Sequence, residues 1–117
     1  MSLVVHGIQN CDTVKRARAW LAGRGVAHEF HDFKTAGLPP TLLDAWIAQV
    51  GWERLVNRQG LTWKKLDEAT RAGVVDAASA RALMLASPSL VKRPVVAWPG
   101  GELTVGFDEA RWGAMLA

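Results

Sequence analysis

The sequence predicts a single α/β domain, residues 1–117, built on a mixed four-stranded sheet with a helical insertion at residues 39–88. Residues 3–33 follow the pattern strand, helix, strand. Residues 90–116 follow the pattern strand, strand, helix. The segment between them carries only short helical patterns. Because these helices are too few to hold a core of their own, we expect them to pack on the sheet.

The N-terminal part is predicted to form a βαβ unit. The apolar run at residues 3–7 indicates a buried strand, and residues 26–33 indicate a second one. A helix over residues 13–23 lies between them and ends at Gly23 and Gly25. Its inward face is indicated by three apolar residues at helical spacing, Val14, Ala17 and Leu21. Two strands joined by one helix are typical of parallel pairing.

The inserted segment is predicted to consist of helices joined by turns. Thr41 and Asp44 resemble a capping box that opens a helix ending at Gly51. Residues 52–73 indicate short helical pieces separated by turns. Asp76 is the expected N-cap of a further helix. The apolar face of that helix would hold Ala82, Leu83 and Ala86.

The C-terminal part is predicted to be an antiparallel hairpin followed by a helix. Residues 95–98 and 102–106 read as strands on either side of a Pro-Gly-Gly turn. Asp108 can cap the last helix, and Phe107 and Trp112 are spaced as a hydrophobic staple for that cap. The inner face of this helix would hold Trp112, Met115 and Leu116.

Composition narrows the function classes. The net charge is +3, from 14 basic and 11 acidic residues that form no long charged run, so generic nucleic-acid binding is not expected. No apolar stretch is long enough to span a membrane, and no signal peptide is recognisable. One cysteine cannot form an internal disulfide, which suits a reducing compartment. We therefore expect a cytoplasmic protein.

Cys11 is the residue that most directly suggests chemistry. It lies where the first strand gives way to the first helix, and a helix N-terminus presents unpaired N–H groups and a positive dipole end. Both favour the thiolate, which is the nucleophilic form. Lys15, Arg16 and Arg18 would add positive potential, whereas the Asp12 carboxylate would raise the thiol pKa. Single cysteines usually serve packing alone, but this placement favours a nucleophile.

The histidines do not predict a metal site. His28 and His31 are three residues apart on a predicted strand and should point to opposite faces. His6 lies in the first strand and is expected to pack in the interior. With one cysteine and no paired His/Cys spacing, no zinc site is expected.

The predicted order of elements, with a thiol after the first strand, is the thioredoxin-like arrangement. That fold places a cis-proline before its third strand, facing the thiol, and Arg93-Pro94 occupies this place here. Most X–Pro bonds are trans, so only the agreement of the whole topology favours a cis bond at Pro94.

Several short segments, in order along the chain, carry a family resemblance. They are Gly7-Ile8-Gln9-Asn10-Cys11-Asp12-Thr13-Val14-Lys15, His31-Asp32-Phe33-Lys34, Leu55-Val56-Asn57-Arg58-Gln59-Gly60, Thr62-Trp63-Lys64-Lys65-Leu66, Leu90-Val91-Lys92-Arg93-Pro94 and Val105-Gly106-Phe107. The chain resembles the arsenate reductase/Spx superfamily, and most of all its YffB-type members.

The resemblance implies roles for individual residues. Cys11 matches the nucleophile, and Arg58 and Arg93 match two arginines of the arsenate-reducing members. Where those enzymes carry a third arginine, this chain has Gly106-Phe107, which weakens the case for arsenate as the substrate. Val14 stands where Spx regulators carry a second cysteine. Disulfide chemistry must therefore borrow another thiol.

The function predicted from these residues is that of a glutathione-dependent, single-cysteine thiol/disulfide oxidoreductase. Cys11 and Arg93 would be the catalytic residues, with glutathione as co-substrate and no bound cofactor. The residues expected to bind substrate or glutathione are Asn10, Asp12, Thr13, Arg58, Arg93 and Pro94. Two alternatives stay open: an arsenate reductase that uses glutathione and glutaredoxin, and a non-enzymatic Spx-like regulator that binds RNA polymerase.

Overall fold

The computed structural model describes residues 3–117. The chain divides into two compact units, one running up to His31 and resuming at Arg93–Ala117, the other comprising Asp32–Lys92. The predicted boundaries of a helical insertion within one domain, residues 39–88, stay a prediction.

The strands and helices follow the predicted order. They are β1 (Val4–Gly7), α1 (Asp12–Gly23), β2 (Glu29–Asp32), α2 (Pro40–Val50), α3 (Trp52–Leu55), α4 (Leu61–Lys64), α5 (Glu68–Ala72), α6 (Ala77–Ala86), β3 (Val95–Ala97), β4 (Leu103–Val105) and α7 (Glu109–Leu116). A 3₁₀ turn, Pro88–Leu90, follows α6. Among residues 3–117 the longest helix is α1, with 12 residues. A membrane span needs about 20, and no described helix meets that requirement.

The four strands form one mixed sheet in the order β2-β1-β3-β4. The β1–β3 and β3–β4 pairs are antiparallel, so the predicted hairpin of β3 and β4 is confirmed. The register places Val5 opposite Val96 and Val96 opposite Thr104. Because side chains alternate along a strand, these three residues share one face of the sheet.

That face carries the core of the first unit, which is packed around Trp112 of α7. The buried residues of this core are Leu3, Val5, Ala17, Leu21, Val96, Trp98 and Trp112. The Phe107 and Trp112 rings lie 4.8 Å apart, as the predicted staple requires, and the Asp108 carboxylate accepts the Arg111 N–H at 3.1 Å. One detail was wrong: Leu116 does not face inward but is 37% exposed.

The first connection also differs from its prediction in one respect. Gly25 adopts a φ of 71° just after α1, the left-handed conformation that commonly ends a helix. The next N–H group, that of Val26, still bonds back to the Leu21 carbonyl at 2.9 Å. Pairing with β1 starts only at Glu29, whose N–H bonds to the Leu3 carbonyl. The second strand therefore begins at Glu29, not at Val26 as predicted.

In the second unit the capping box predicted at the start of α2 is wrong. Pro39 occupies the cap position, without a side-chain hydrogen bond. The Asp44 carboxylate accepts instead from the Arg81 guanidinium of α6, with 2.6 Å between Nε and Oδ1. The acidic side chain of α2 is thus engaged by a helix that is distant in sequence, a contact that no local pattern indicates.

Helix α6 confirms its predicted cap and corrects its predicted face. Asp76 and Ser79 form a reciprocal capping box, in which Asp76 Oδ1 accepts the Ser79 N–H at 2.8 Å. The buried residues are Ala80 and Met84. Of the predicted face, Ala82 and Ala86 are exposed and Leu83 is half-buried. The helix is rich in alanine, so its sequence has little apolar asymmetry from which to infer a face.

The short helices predicted within residues 52–73 are present as α3, α4 and α5. Backbone bonds link α3 to the segment after the 3₁₀ turn: Asn57 N–H to the Leu90 carbonyl at 2.8 Å and Lys92 N–H to the Leu55 carbonyl at 2.7 Å. Val56 and Val91 form an isolated antiparallel bridge between these bonds. Arg93 is the residue that follows Lys92, so these bonds lie immediately before it in the chain.

Candidate active site

Cys11 occupies the N-cap position of α1, one residue before the first turn. Its backbone is extended, with φ −98° and ψ 122°, and its carbonyl accepts the first helical bond from the Lys15 N–H at 2.9 Å. Its own N–H closes a turn on the Ile8 carbonyl at 3.1 Å. The residue is half-buried and its thiol is free.

The groups around this sulfur lower the pKa of the thiol. Burial by itself raises the pKa of Cys11, but the N–H of Val14, the Arg93 guanidinium and the N–H of Thr13 outweigh it. Arg93 acts both as a hydrogen-bond donor and as a positive charge. The two N–H groups act on the sulfur without forming a regular side-chain cap. An acidified, accessible thiol is the state in which cysteine reacts as a nucleophile.

The charged neighbours of Cys11 along α1 act differently from expectation. Among the described residues, those that lower its pKa are Val14, Arg93 and Thr13, whereas Arg18 is engaged elsewhere. The Arg18 guanidinium lies 4.1 Å from the Phe30 ring centroid, and its Nε donates to His28 Nε2 at 3.3 Å. Asp12 is exposed at the first position of the helix. The acidification therefore comes from the helix terminus and one remote arginine.

Arg93 and Pro94 approach the site from the start of β3. The peptide bond between them is cis, as the topology favours. Arg93 is half-buried and Pro94 is buried. The Pro94 carbonyl accepts the Gly106 N–H at 2.9 Å, and proline has no N–H of its own. A carbonyl group of an extended substrate could therefore bond only to the N–H of a residue that neighbours Pro94.

The remaining predicted binding residues are distributed over both units. Asn10 is exposed in the turn before Cys11. Arg58 belongs to the second unit, where its guanidinium carbon lies 5.8 Å from the Trp52 ring centroid and 5.6 Å from that of Trp63. The structure thus brings Cys11, Thr13 and Arg93 together, and the role of Arg58 at the thiol stays a prediction.

His6 of β1 and His31 of β2 form a pair in the first unit. His6 is buried, as expected, and its Nδ1 lies 2.8 Å from His31 Nδ1. Burial, followed by the nearby His31, lowers the pKa of His6 to about 4, so His6 is neutral at physiological pH. The prediction that His28 lies on a strand is wrong, because β2 starts at Glu29. Within residues 3–117 no group of three or more His, Cys, Asp or Glu side chains is placed to hold a metal ion.

Two contacts of this unit were not assigned to particular residues from the sequence, which indicated the N–H groups at the start of α1 only as a class. The Val14 N–H is the strongest of the groups that lower the Cys11 pKa. It could have been found, since an N-cap side chain faces the N–H groups two and three positions later. The contact between His6 and His31 joins residues 25 positions apart, and nothing local in the sequence indicates it.

Comparisons with known proteins agree with this architecture. A relative from Haemophilus influenzae, named only as an uncharacterized protein, is 38% identical over 115 residues, covering 98% of this chain and 99% of the relative. The solved structure of a YffB protein superposes with a TM-score of 0.91 at 46% identity, covering 99% of this chain and all of that one. The global transcriptional regulator Spx of Streptococcus pyogenes is 26% identical over 114 residues, covering 92% of this chain and 80% of the regulator.

A further solved structure carries a family name of its own. The arsenate reductase (ArsC) related protein from Brucella melitensis superposes with a TM-score of 0.79 at 51% identity, covering 99% of this chain and 95% of that chain. The ArsC family pattern itself matches residues 6–115, a span that contains the cysteine, its helix and the arginine that faces it. By sequence and by fold, the chain belongs to the ArsC family.

Proposed function

We propose that this protein is a single-cysteine thiol/disulfide oxidoreductase that uses glutathione as its second thiol. The observation that carries the proposal is the environment of Cys11, a half-buried thiol that meets the N-terminus of α1 and the Arg93 guanidinium. Structural cysteines are usually buried in apolar surroundings, which raise their pKa. At Cys11 the surrounding groups instead lower the pKa.

The first step is attack by the Cys11 thiolate on a disulfide RS–SR′. One sulfur–sulfur bond breaks, a bond forms between Cys11 Sγ and the RS sulfur, and R′S⁻ leaves with the electron pair of the broken bond. The negative charge thus passes from Cys11 to the leaving thiolate. Arg93 and the N–H groups of α1 hold the charge on Cys11 before the attack.

The second step regenerates the thiolate. The sequence contains no second cysteine, so the mixed disulfide must be attacked by an external thiolate. Glutathione thiolate attacking the RS sulfur yields GS–SR and returns Cys11 as a thiolate, with no net change in the number of sulfur–sulfur bonds. Such a cycle requires a compartment rich in reduced thiols, which is consistent with the expected cytoplasmic location.

The test is a pH series of iodoacetamide alkylation, followed by exchange with a glutathione mixed disulfide. Because the chain has a single thiol, alkylation reports Cys11 without background. We expect the alkylation rate to reach half its maximum at a pH below that of free cysteine. Mass spectrometry should show one glutathione attached after exposure to oxidised glutathione, and its release by reduced glutathione. Cys11→Ser is the control.

Two outcomes would overturn the proposal. One is an alkylation profile that matches free cysteine; the other is a Cys11–glutathione adduct that reduced glutathione does not remove. Glutathione titration followed by NMR adds a separate readout, in which shifts should cluster on residues 8–15 and 92–95. The same titration of Arg58→Ala tests whether that arginine contributes to glutathione affinity.

Arsenate reduction is the nearest alternative chemistry. It is suggested by the name of the Brucella relative, an arsenate reductase related protein, and by Arg93 beside the thiol, since a guanidinium fork suits an oxyanion. An assay with arsenate, glutathione and a glutaredoxin separates it from the general thiol reaction. Turnover of arsenate would show that the substrate is this oxyanion and not a disulfide.

A role in transcription is the alternative of another class. It is suggested by the Spx relative, at 26% identity. Pull-downs with wild type and Cys11→Ser distinguish the two classes. Equal recovery of an RNA polymerase subunit by both forms would favour a binding module. A mixed disulfide trapped only by the wild type would favour the oxidoreductase.

A further inference from the structure

Gly7, the last residue of β1, lies directly under the first turns of α1. A Cβ atom on Gly7 would lie 2.8 Å from Val14 Cγ2, 3.1 Å from Val14 Cγ1 and 3.5 Å from Phe30 Cε1. Carbon atoms in contact are normally 3.5–4.0 Å apart. Any side chain at this position would therefore displace its neighbours.

The need for glycine at this position is steric and does not come from the backbone. The described glycines with positive φ are Gly25, Gly37, Gly51, Gly100, Gly101 and Gly106. Gly7 is not among them, so an alanine could adopt its backbone conformation. What an alanine could not do is share the space already filled by the two Val14 methyl groups.

Val14 has little freedom to move aside. Its side chain is 1% exposed, and β-branched residues in a helix are largely restricted to one χ1 rotamer. Both methyl groups approach Gly7, so rotation about χ1 would not clear the space. Relief would come instead from a shift of the first turn of α1 away from the strand.

That turn carries the donors of the candidate active site. Cys11 is the N-cap of α1 and Val14 is the third residue of the helix, so the Val14 N–H is one of the first-turn donors that an N-cap side chain faces. This N–H also lowers the pKa of Cys11. The side chain of Val14 thus fixes the helix against the sheet, while its backbone acts on the sulfur. If the Val14 side chain is displaced from Gly7, the Val14 N–H moves relative to Cys11, because both groups belong to the same residue.

We propose that Gly7 is a positioning residue for Cys11: the lack of a side chain lets Val14 seat against the end of β1 and holds the Val14 N–H at the sulfur. The inference rests on the proposed function, since the position of this N–H matters only where Cys11 acts as a thiolate. Gly7 touches no reacting atom and acts through Val14 alone.

The test compares Gly7→Ala with Gly23→Ala. Gly23 lies at the other end of α1, its φ is not positive, and nothing lies within 4 Å of a Cβ built there. We expect Gly7→Ala to raise the thiol pKa and to slow alkylation at a pH below that pKa about threefold or more, which corresponds to roughly half a pKa unit. Gly23→Ala should leave the alkylation profile unchanged.

A second substitution tests the route. In Gly7→Ala/Val14→Ala the methyl groups that collide are gone while the N–H at position 14 remains, so the wild-type alkylation profile should return. A purely structural role for Gly7 would lower Tm without moving the alkylation profile. If Gly7→Ala does not fold, Val14→Ile crowds the same contact from the helix side and should also raise the thiol pKa.

The outcomes separate this inference from the proposed function. A wild-type profile like that of free cysteine overturns the proposed function, whatever Gly7 does. A low wild-type pKa that folded Gly7→Ala or Val14→Ile leaves unchanged overturns the positioning role alone. A raised pKa in Gly7→Ala that Val14→Ala fails to reverse also overturns it, because the effect would then not pass through Val14.

Discussion

Helices α1 and α6 both begin after a residue with extended backbone, but that residue is Cys11 in one and Asp76 in the other. At α6 the Asp76 carboxylate accepts the Ser79 N–H, and Ser79 Oγ accepts the Asp76 N–H in return. At α1 no side-chain cap forms, and the corresponding N–H groups face a thiol. The same backbone donors stabilise the fold at one helix and support reactivity at the other.

The comparison also shows what replaces the missing cap at α1. This helix is held by packing, with Val14 against Gly7 and with Ala17 and Leu21 in the core of the first unit. Helix α6 buries only Ala80 and Met84 and has a complete capping box. A helix whose first turn serves a reactive group therefore depends more on its buried face.

Converting the start of α1 into one of the α6 type should have the largest effect. Cys11→Asp removes the nucleophile, so thiol exchange should fall below detection, while the new carboxylate should cap the helix. Relative to Cys11→Ala, which has neither thiol nor cap, we expect Cys11→Asp to be more stable by about 0.5–2 kcal/mol. Urea unfolding and an exchange assay measure both. Equal stability of the two variants would show that these donors are not available for capping.

Removing the Arg93 guanidinium, the side-chain cation that lowers the pKa of Cys11, should have the next largest effect. Arg93→Ala removes both a donor and a positive charge, so the Cys11 pKa should rise and alkylation below that pKa should slow about three- to tenfold. Lys92→Ala is the matched control, because the Lys92 side chain is exposed. The bond from Lys92 to the Leu55 carbonyl uses the backbone N–H, which alanine keeps. An unchanged alkylation profile in Arg93→Ala would leave the helix terminus as the sole source of acidification.

Breaking the conventional cap should affect stability alone. Asp76→Ala leaves the Ser79 N–H without its acceptor, so Tm should fall by about 2–6 °C. Alkylation of Cys11 should keep its wild-type pH profile, since the substitution lies in the other unit. A change in that profile would indicate that the start of α6 influences the thiol.

The smallest expected effect is the pH dependence of stability that Cys11 confers. Its pKa is lower in the folded chain than the value of about 8.5 in an unfolded one. As pH rises through that interval, the unfolded state retains more protons, so the free energy of unfolding increases and levels off above about 8.5. Urea midpoints of wild type should show this rise and those of Cys11→Ser should lack it. If the urea midpoints of wild type and Cys11→Ser change with pH in parallel, the pKa of Cys11 is not lowered by folding.

Local chemistry was predictable from the sequence, and long-range pairing was not. The caps at Asp76 and Asp108 and the staple of Phe107 on Trp112 are short-range patterns, and all three are present. The capping box expected from Thr41 and Asp44 is absent, because α2 already begins at Pro40 and Thr41 lies inside it. The Asp44 carboxylate accepts instead from Arg81, 37 residues away. Sequence patterns therefore identify which groups could bond locally, but not which distant partner competes for them.

The candidate site follows the same division. The thiol at the start of α1 could be read from the junction of a strand and a helix. Arg93 was suggested mainly by the family resemblance, because its contact with Cys11 spans most of the chain. The place of Gly7 beneath Val14 depends on how the helix docks on β1, which spacing alone does not specify.

The six tryptophans are divided equally between the two units. Trp20, Trp98 and Trp112 lie in the first unit, where their rings pack edge to face around Trp112. Trp46, Trp52 and Trp63 lie in the second. Intrinsic fluorescence of the intact chain is therefore a sum of two signals. If either set is replaced with phenylalanine, the remaining tryptophan fluorescence reports the unfolding of one unit alone.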